Sequence, residues 1–242
     1  MRPVLFAVVL FAVVSFSLLA QNITSPRDKE AALGATLAGG IESKTTPIAS
    51  KLVQDYVDQL GQKIAVQLKE PFTFSFLAIT DDLAAEIHEP LSLPSGHIFV
   101  SAALILAARN ESEFAGMLAQ AMSRRPPRIE SLNATIPLIY TGVFGPAPQS
   151  ALPAMRSAAL EADQLAVETL ARAGIDPEGL RDYIDREQRN DHRSALPDRA
   201  TRLAAIERAI RNLPPAIYTE SGDFPQVRQE ARPAPPKPPS LK

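Results

Sequence analysis

Residues 110–124, NESEFAGMLAQAMSR, impose the strongest local constraint in the chain. Phe114, Met117 and Leu118 recur at helical spacing behind an acidic first turn of Glu111 and Glu113, where negative charge offsets the positive end of a helix. The pattern predicts a buried helix. Pro126 and Pro127 stop it, because neither can supply the backbone N–H that the next turn requires. Its closing turn, Gln120-Ala121-Met122-Ser123-Arg124, holds no histidine, cysteine or carboxylate.

The flanking chain supplies more helices and a little sheet. Residues 28–42 are alanine-rich and helix-permissive, with Gly39-Gly40 weakening the end. Ile48, Leu52, Val53, Tyr56, Val57, Leu60, Ile64 and Leu68 then recur every three or four residues, which predicts a long helix with one buried face. Behind Pro71, residues 72–80 alternate in pattern, are enriched in aromatic and β-branched residues, and read as a strand. Leu93-Pro94-Ser95-Gly96 turns the chain into a second short strand, His97-Ile98-Phe99-Val100, and the apolar 101–108 reads as a buried helix.

Residues 129–153 read as a partly buried loop, and 154–173 return to helical spacing before Gly174. Asp176-Pro177 opens the next helix, and Leu196-Pro197 opens the last, with Leu203, Ile206 and Ile210 on its inner face. The fold class expected is α+β, mostly helical with a small β-sheet.

At 242 residues and 45% hydrophobic content, the chain can bury one sizeable core. A net charge of -2 with both signs interspersed gives no basic face for nucleic acid. The absence of cysteine excludes disulfides, thiolate metal sites and cysteine nucleophiles.

Residues 1–20 have Arg2, an apolar run and then small residues, the pattern of a secretory signal cleaved near Ala20, with an uncleaved membrane anchor as the alternative. Beyond Leu213 lie eight of the 22 prolines and little apolar content. The expected organisation is a signal over 1–20, a domain over 21–213, and a disordered proline-rich tail over 214–242. Export without cysteine suits a bacterial periplasm, either free or anchored facing it. The sequons at Asn22 and Asn133 carry weight only in a eukaryotic secretory context and are read as coincidence.

Five segments in order carry a family resemblance: DKEAALGATLAGGIE before QDYVDQLGQKIA, LPSGHIFVSAALI, NESEFAGMLA, EADQLAVETLARAGIDPEGL and LPDRATRL. From about 28 to 213 the chain resembles the HtpX- and BepA-like gluzincin metallopeptidases, peptidase family M 48. The resemblance implies a zincin-like domain and, in the family, zinc held by two histidines four apart on one helix face, with a glutamate as base.

Carried over by position, the first histidine is Gln120, the base Ala121 and the second histidine Arg124, while the third ligand falls at Ala159. A neutral amide is a poor zinc ligand, alanine has no donor atom, and a guanidinium repels a dication. Asp163 and Arg202 survive as family positions, but the histidine before the Arg202 segment is Leu196. No cofactor is expected.

The resemblance therefore implies a pseudopeptidase whose cleft persists as a peptide- or protein-binding groove beside the His97, Ile98, Phe99 and Val100 strand, read as an edge strand. Its partner would be an unidentified peptide or envelope protein, with membrane contact only through an uncleaved first segment. An Arg124–Asp163 contact is predicted to replace the metal as a clasp.

Two other readings stand beside it. One is an active zinc metalloendopeptidase with a non-standard site, for which His88, Glu89 and His97 are the best grouping; His192 lies in a polar loop, and Glu161 reads as a helix-surface charge. The other is a structural envelope protein acting through its proline-rich tail.

Overall fold

A computed structural model describes residues 25–83, 88–124, 149–191 and 194–233. The expected signal segment, both sequons, the Pro126-Pro127 stop, most of the 129–153 loop, His192 and residues 234–242 lie outside them.

Helix α1, Pro26–Glu42, opens with a reciprocal cap in which the Ser25 hydroxyl accepts from Asp28 N and the Asp28 carboxylate accepts from Ser25 N. Helix α2, Lys51–Leu68, is capped by Ser50 and buries Val53, Val57, Leu60, Gly61 and Ile64, the stripe its periodicity predicts.

Strands β1 (Ser75–Ile79), β2 (Leu91–Leu93) and β3 (His97–Ser101) form one sheet in the order β1-β3-β2. β3 runs parallel to β1 from the Ser75–His97 pair to the Ile79–Ser101 pair, and antiparallel to β2 from Leu91–Phe99 to Leu93–His97. This corrects the expectation that residues 97–100 form an edge. Ile98, Phe99 and Val100 are all buried, and such a continuous apolar run marks a strand covered on both faces.

The outer edge of β1 is closed by the backbone of residues 46–48, with Ile48 N on Ala78 O at 2.9 Å and Thr80 N on Thr46 O at 2.8 Å, and by one side chain. Gln54 Nε2 donates to Ala78 O at 2.8 Å and Gln54 Oε1 accepts from Ala78 N at 3.0 Å, so its amide pairs as a neighbouring strand would. β2 pairs with β3 alone, and its other edge has no strand partner among the described residues. The connecting turn needs Gly96, at φ 84°, and it lies directly under α1: a Cβ on Gly34 would sit 2.1 Å from Pro94 O.

The remaining helices are α3 (Ala102–Ala107), α4 (Glu111–Ser123), α5 (Leu152–Arg172), α6 (Glu178–Glu187), α7 (Arg199–Arg211) and α8 (Phe224–Glu230). Every residue of α4 is buried. α6 crosses it at backbone contact, since a Cβ on Gly179 would lie 2.2 Å from the Ser112 carbonyl carbon and one on Gly116 would lie 2.7 Å from the Leu180 backbone. The central helix is thus enclosed along its whole length.

α8 corrects the expectation of a disordered tail from residue 214, and α7 is not the last helix. Phe224 and Val227 are buried in the main core, and the Phe224 ring stacks on Phe114 at 5.4 Å and meets Tyr56 at 5.9 Å. Ahead of α8, Ser221 N donates to the Glu111 carboxylate at 3.2 Å, joined by the Ser221 hydroxyl. Two apolar residues one helical turn apart suffice to seat this segment, whereas average composition hides them among prolines.

Candidate functional site

The candidate site is the C-terminal turn of α4 and the side chains facing it. Asn110 caps the helix by accepting from Glu113 N at 2.9 Å, and Arg124 ends it with its N–H on Ala121 O at 3.3 Å. Gln120 is fully buried and Ala121 is buried beside it. Gln120 Oε1 accepts from Arg124 Nη2 at 3.4 Å. Among the described residues, Gln120 Nε2 and Ser123 Oγ have no hydrogen-bond partner, an arrangement that costs about 1–3 kcal/mol for each buried group.

Arg124 points toward the segment before β2. Its Nη1 lies 3.3 Å from Glu89 Oε1 and its Nη2 lies 3.0 Å from Glu89 Oε2, a two-toothed pair with side chains 33% and 19% exposed. The predicted Arg124–Asp163 contact is not formed. Asp163 belongs instead to Arg202, whose Nε and Nη2 reach its two oxygens at 2.8 and 2.6 Å.

Arg202 Nη1 also donates to Gln188 Oε1 at 2.8 Å, and Gln188 Nε2 donates to Pro197 O at 2.7 Å. Asp163 and Arg202 are both fully buried. Arg202 wins the carboxylate because it sits on the inward face of α7 and delivers two nitrogens, whereas Arg124 leaves the end of α4 for Glu89.

The positions expected to hold zinc do not fit it. Gln120 offers an amide already turned to a guanidinium, Ala121 and Ala159 offer methyl groups, and Arg124 offers positive charge. Among the described residues no group of three or more histidines or carboxylates is arranged to hold a metal ion. The His88, Glu89 and His97 grouping is dispersed: His88 pairs with Asp82, Glu89 with Arg124, and His97 Nδ1 with Ser75 Oγ at 3.1 Å. Glu161 is exposed on α5 and accepts from Ser157 Oγ at 3.4 Å.

The sequence does not single out Gln188, and it singles out Glu89 only as part of a metal grouping with His88 and His97. Neither follows a periodic pattern or a motif, and each acquires its role only through a contact between distant segments. The same holds for Glu111, which accepts from the Tyr56 hydroxyl at 2.9 Å. Burial first, and then the Glu111 carboxylate, push the Tyr56 phenol far above the ordinary tyrosine range. Burial does the same to Tyr183, whose hydroxyl donates to His88 O at 2.9 Å.

Fold and site together define a mostly helical α+β domain built around one enclosed helix, with an ion pair and an amide where the resemblance places metal chemistry. No protein-family profile matches the chain. It is 22% identical over 233 residues to the beta-barrel assembly-enhancing protease of Escherichia coli (strain K12), covering 81% of this chain and 47% of that protein. The protein of that name from Shigella flexneri gives the same figures. The one from Yersinia pestis is 23% identical over 188 residues, covering 66% of this chain and 37% of that protein. The chain spans about half the length of the curated relatives it matches, at 47% for the first two. It is a distant, peptidase-like relative of these proteases.

Proposed function

We propose that this chain is an exported, non-catalytic relative of zinc metallopeptidases that holds an extended peptide or protein segment without cutting it. The observation that carries the reading is the set of four side chains at the expected metal and base positions: Gln120, Ala121, Arg124 and Ala159. A Lewis acid and a positioned base together supply several kcal/mol of transition-state stabilisation in such enzymes, and none of these four groups supplies either.

Binding survives that loss because strand pairing uses backbone groups alone. The edge open for it is β2, Leu91–Leu93, in place of the β3 edge first expected. Export to a bacterial envelope rests on the apolar first twenty residues, the absence of cysteine and the likeness to the named proteases. No helix among the described residues is long and apolar enough to cross a membrane.

Incubation of the purified chain with fluorogenic casein and added zinc tests the reading. The expected outcome is no release above buffer, with or without chelator. Zinc-dependent release abolished by chelator refutes it.

A further inference from the structure

At one of the resembled metal positions this chain carries a cation with a flat pair of donors, and that cation already holds a carboxylate. Arg124 grips both oxygens of Glu89, at 3.3 and 3.0 Å. With 33% of the Arg124 side chain and 19% of the Glu89 side chain exposed, solvent reaches the pair. A guanidinium fork of this kind recognises carboxylates in general, so an incoming carboxylate competes with Glu89 on equal chemical terms.

Two further observations give the pair a direction and a deeper contact. Gln120, fully buried, lies with its amide against the guanidinium, and its Nε2 donor has no partner among the described residues; the Ser123 hydroxyl, one turn further along, has none either. An unsatisfied amide donor beside an arginine suits a ligand rich in acceptor oxygens. Glu89 also stands two residues before β2, the open edge of the sheet. A peptide paired antiparallel to β2 runs toward Glu89, which carries its C-terminal end toward Arg124.

We propose that Arg124 docks the terminal α-carboxylate of a peptide lying antiparallel along β2, with Glu89 acting as the internal carboxylate that the ligand displaces. This inference rests on the proposal that β2 is a peptide-binding edge, and it adds the class of ligand: free C-terminal segments. Glu89 is then an occupant that keeps the site closed to uncharged chain ends and internal segments. The cost of displacing it sets the affinity.

The test uses N-terminally fluorescein-labelled decapeptides of alternating apolar and polar residues, prepared as the free acid and as the carboxamide, with anisotropy as the readout on the full chain. The free acid is expected to bind about tenfold or more tightly than the carboxamide, as a charge-assisted two-toothed contact requires. Arg124→Gln should bring the free acid down to the carboxamide level, and Glu89→Gln should tighten the free acid about threefold while leaving the carboxamide unchanged. Equal, measurable binding of both peptides overturns the carboxylate inference and leaves the β2 groove standing. Absence of binding by either peptide overturns both. The wild-type comparison needs no variant, so a misfolded substitution does not obscure the answer.

Discussion

Arg202 holds Asp163 through two hydrogen bonds, Nε to Oδ2 at 2.8 Å and Nη2 to Oδ1 at 2.6 Å, with neither side chain exposed to solvent. A carboxylate retained at a family position is here held at both oxygens by a guanidinium, which fastens α5 to α7. Gln188 takes a third guanidinium nitrogen and passes the contact on to the Pro197 carbonyl. The network is closed, and each member depends on the others.

Arg202→Ala should therefore cost about 3–5 kcal/mol in urea unfolding, because it leaves Asp163 charged and alone in the core. Replacing both partners, Arg202→Met with Asp163→Leu, should recover most of that loss. A single substitution as mild as a surface change would show that the pair contributes little.

The segment over 214–231 is part of the fold, and Phe224 is its anchor. Phe224→Ala should destabilise by about 3–5 kcal/mol, the usual range for emptying a buried aromatic site. Ending the chain at Leu213 should lower the thermal midpoint at least as far. An unchanged midpoint after truncation would return this stretch to the status of a tail.

Gly179 is required by contact more than by conformation. A Cβ there would meet the Ser112 carbonyl carbon at 2.2 Å, backbone that cannot swing aside. Gly179→Ala should push α6 off α4 and cost about 1–3 kcal/mol or more. Gly174→Ala meets no neighbour within 4 Å, so its cost should come only from the positive φ of 70°.

Alkaline pH should loosen the protein through Tyr56 and Tyr183. Burial raises both phenols above the ordinary value near 10, with the Glu111 carboxylate adding to the effect at Tyr56. A group that binds its proton more tightly when folded contributes fully below its unfolded pKa and loses that contribution as pH rises toward its folded pKa. Urea midpoints should hold steady up to about pH 10 and fall above it. In a titration followed at 295 nm, two of the four tyrosines should ionise only together with loss of helical circular dichroism. Reversible ionisation of all four near pH 10 in folded protein would contradict the burial argument.

Local structure was legible where period and capping agree. The stripe from Val53 to Ile64, the acid-rich start at Glu111 and the strand at Ile98 to Val100 all appear where side-chain spacing put them. What the spacing could not supply was neighbourhood. The buried run Ile98-Phe99-Val100 signals a central strand only once β1 and β2 are seen on either side of it.

The same limit governs the site. Asp163 could be named, but its choice of Arg202 over Arg124 depends on how α7 is rotated against α5, which no local pattern encodes. Glu89, isolated before Pro90, becomes a partner of Arg124 only through folding of the chain across a sequence separation of 35. Phe224 and Val227 were hidden by the prolines around them.

The central claim is that the end of α4 has given up metal chemistry, and the zinc content of the chain tests it most directly. Protein purified without chelator, incubated with excess zinc and desalted, should carry well under one zinc per chain by elemental mass spectrometry, because Gln120, Arg124 and Ala159 offer no ligand set. One zinc per chain, lost on Arg124→Ala or Gln120→Ala, would contradict the account.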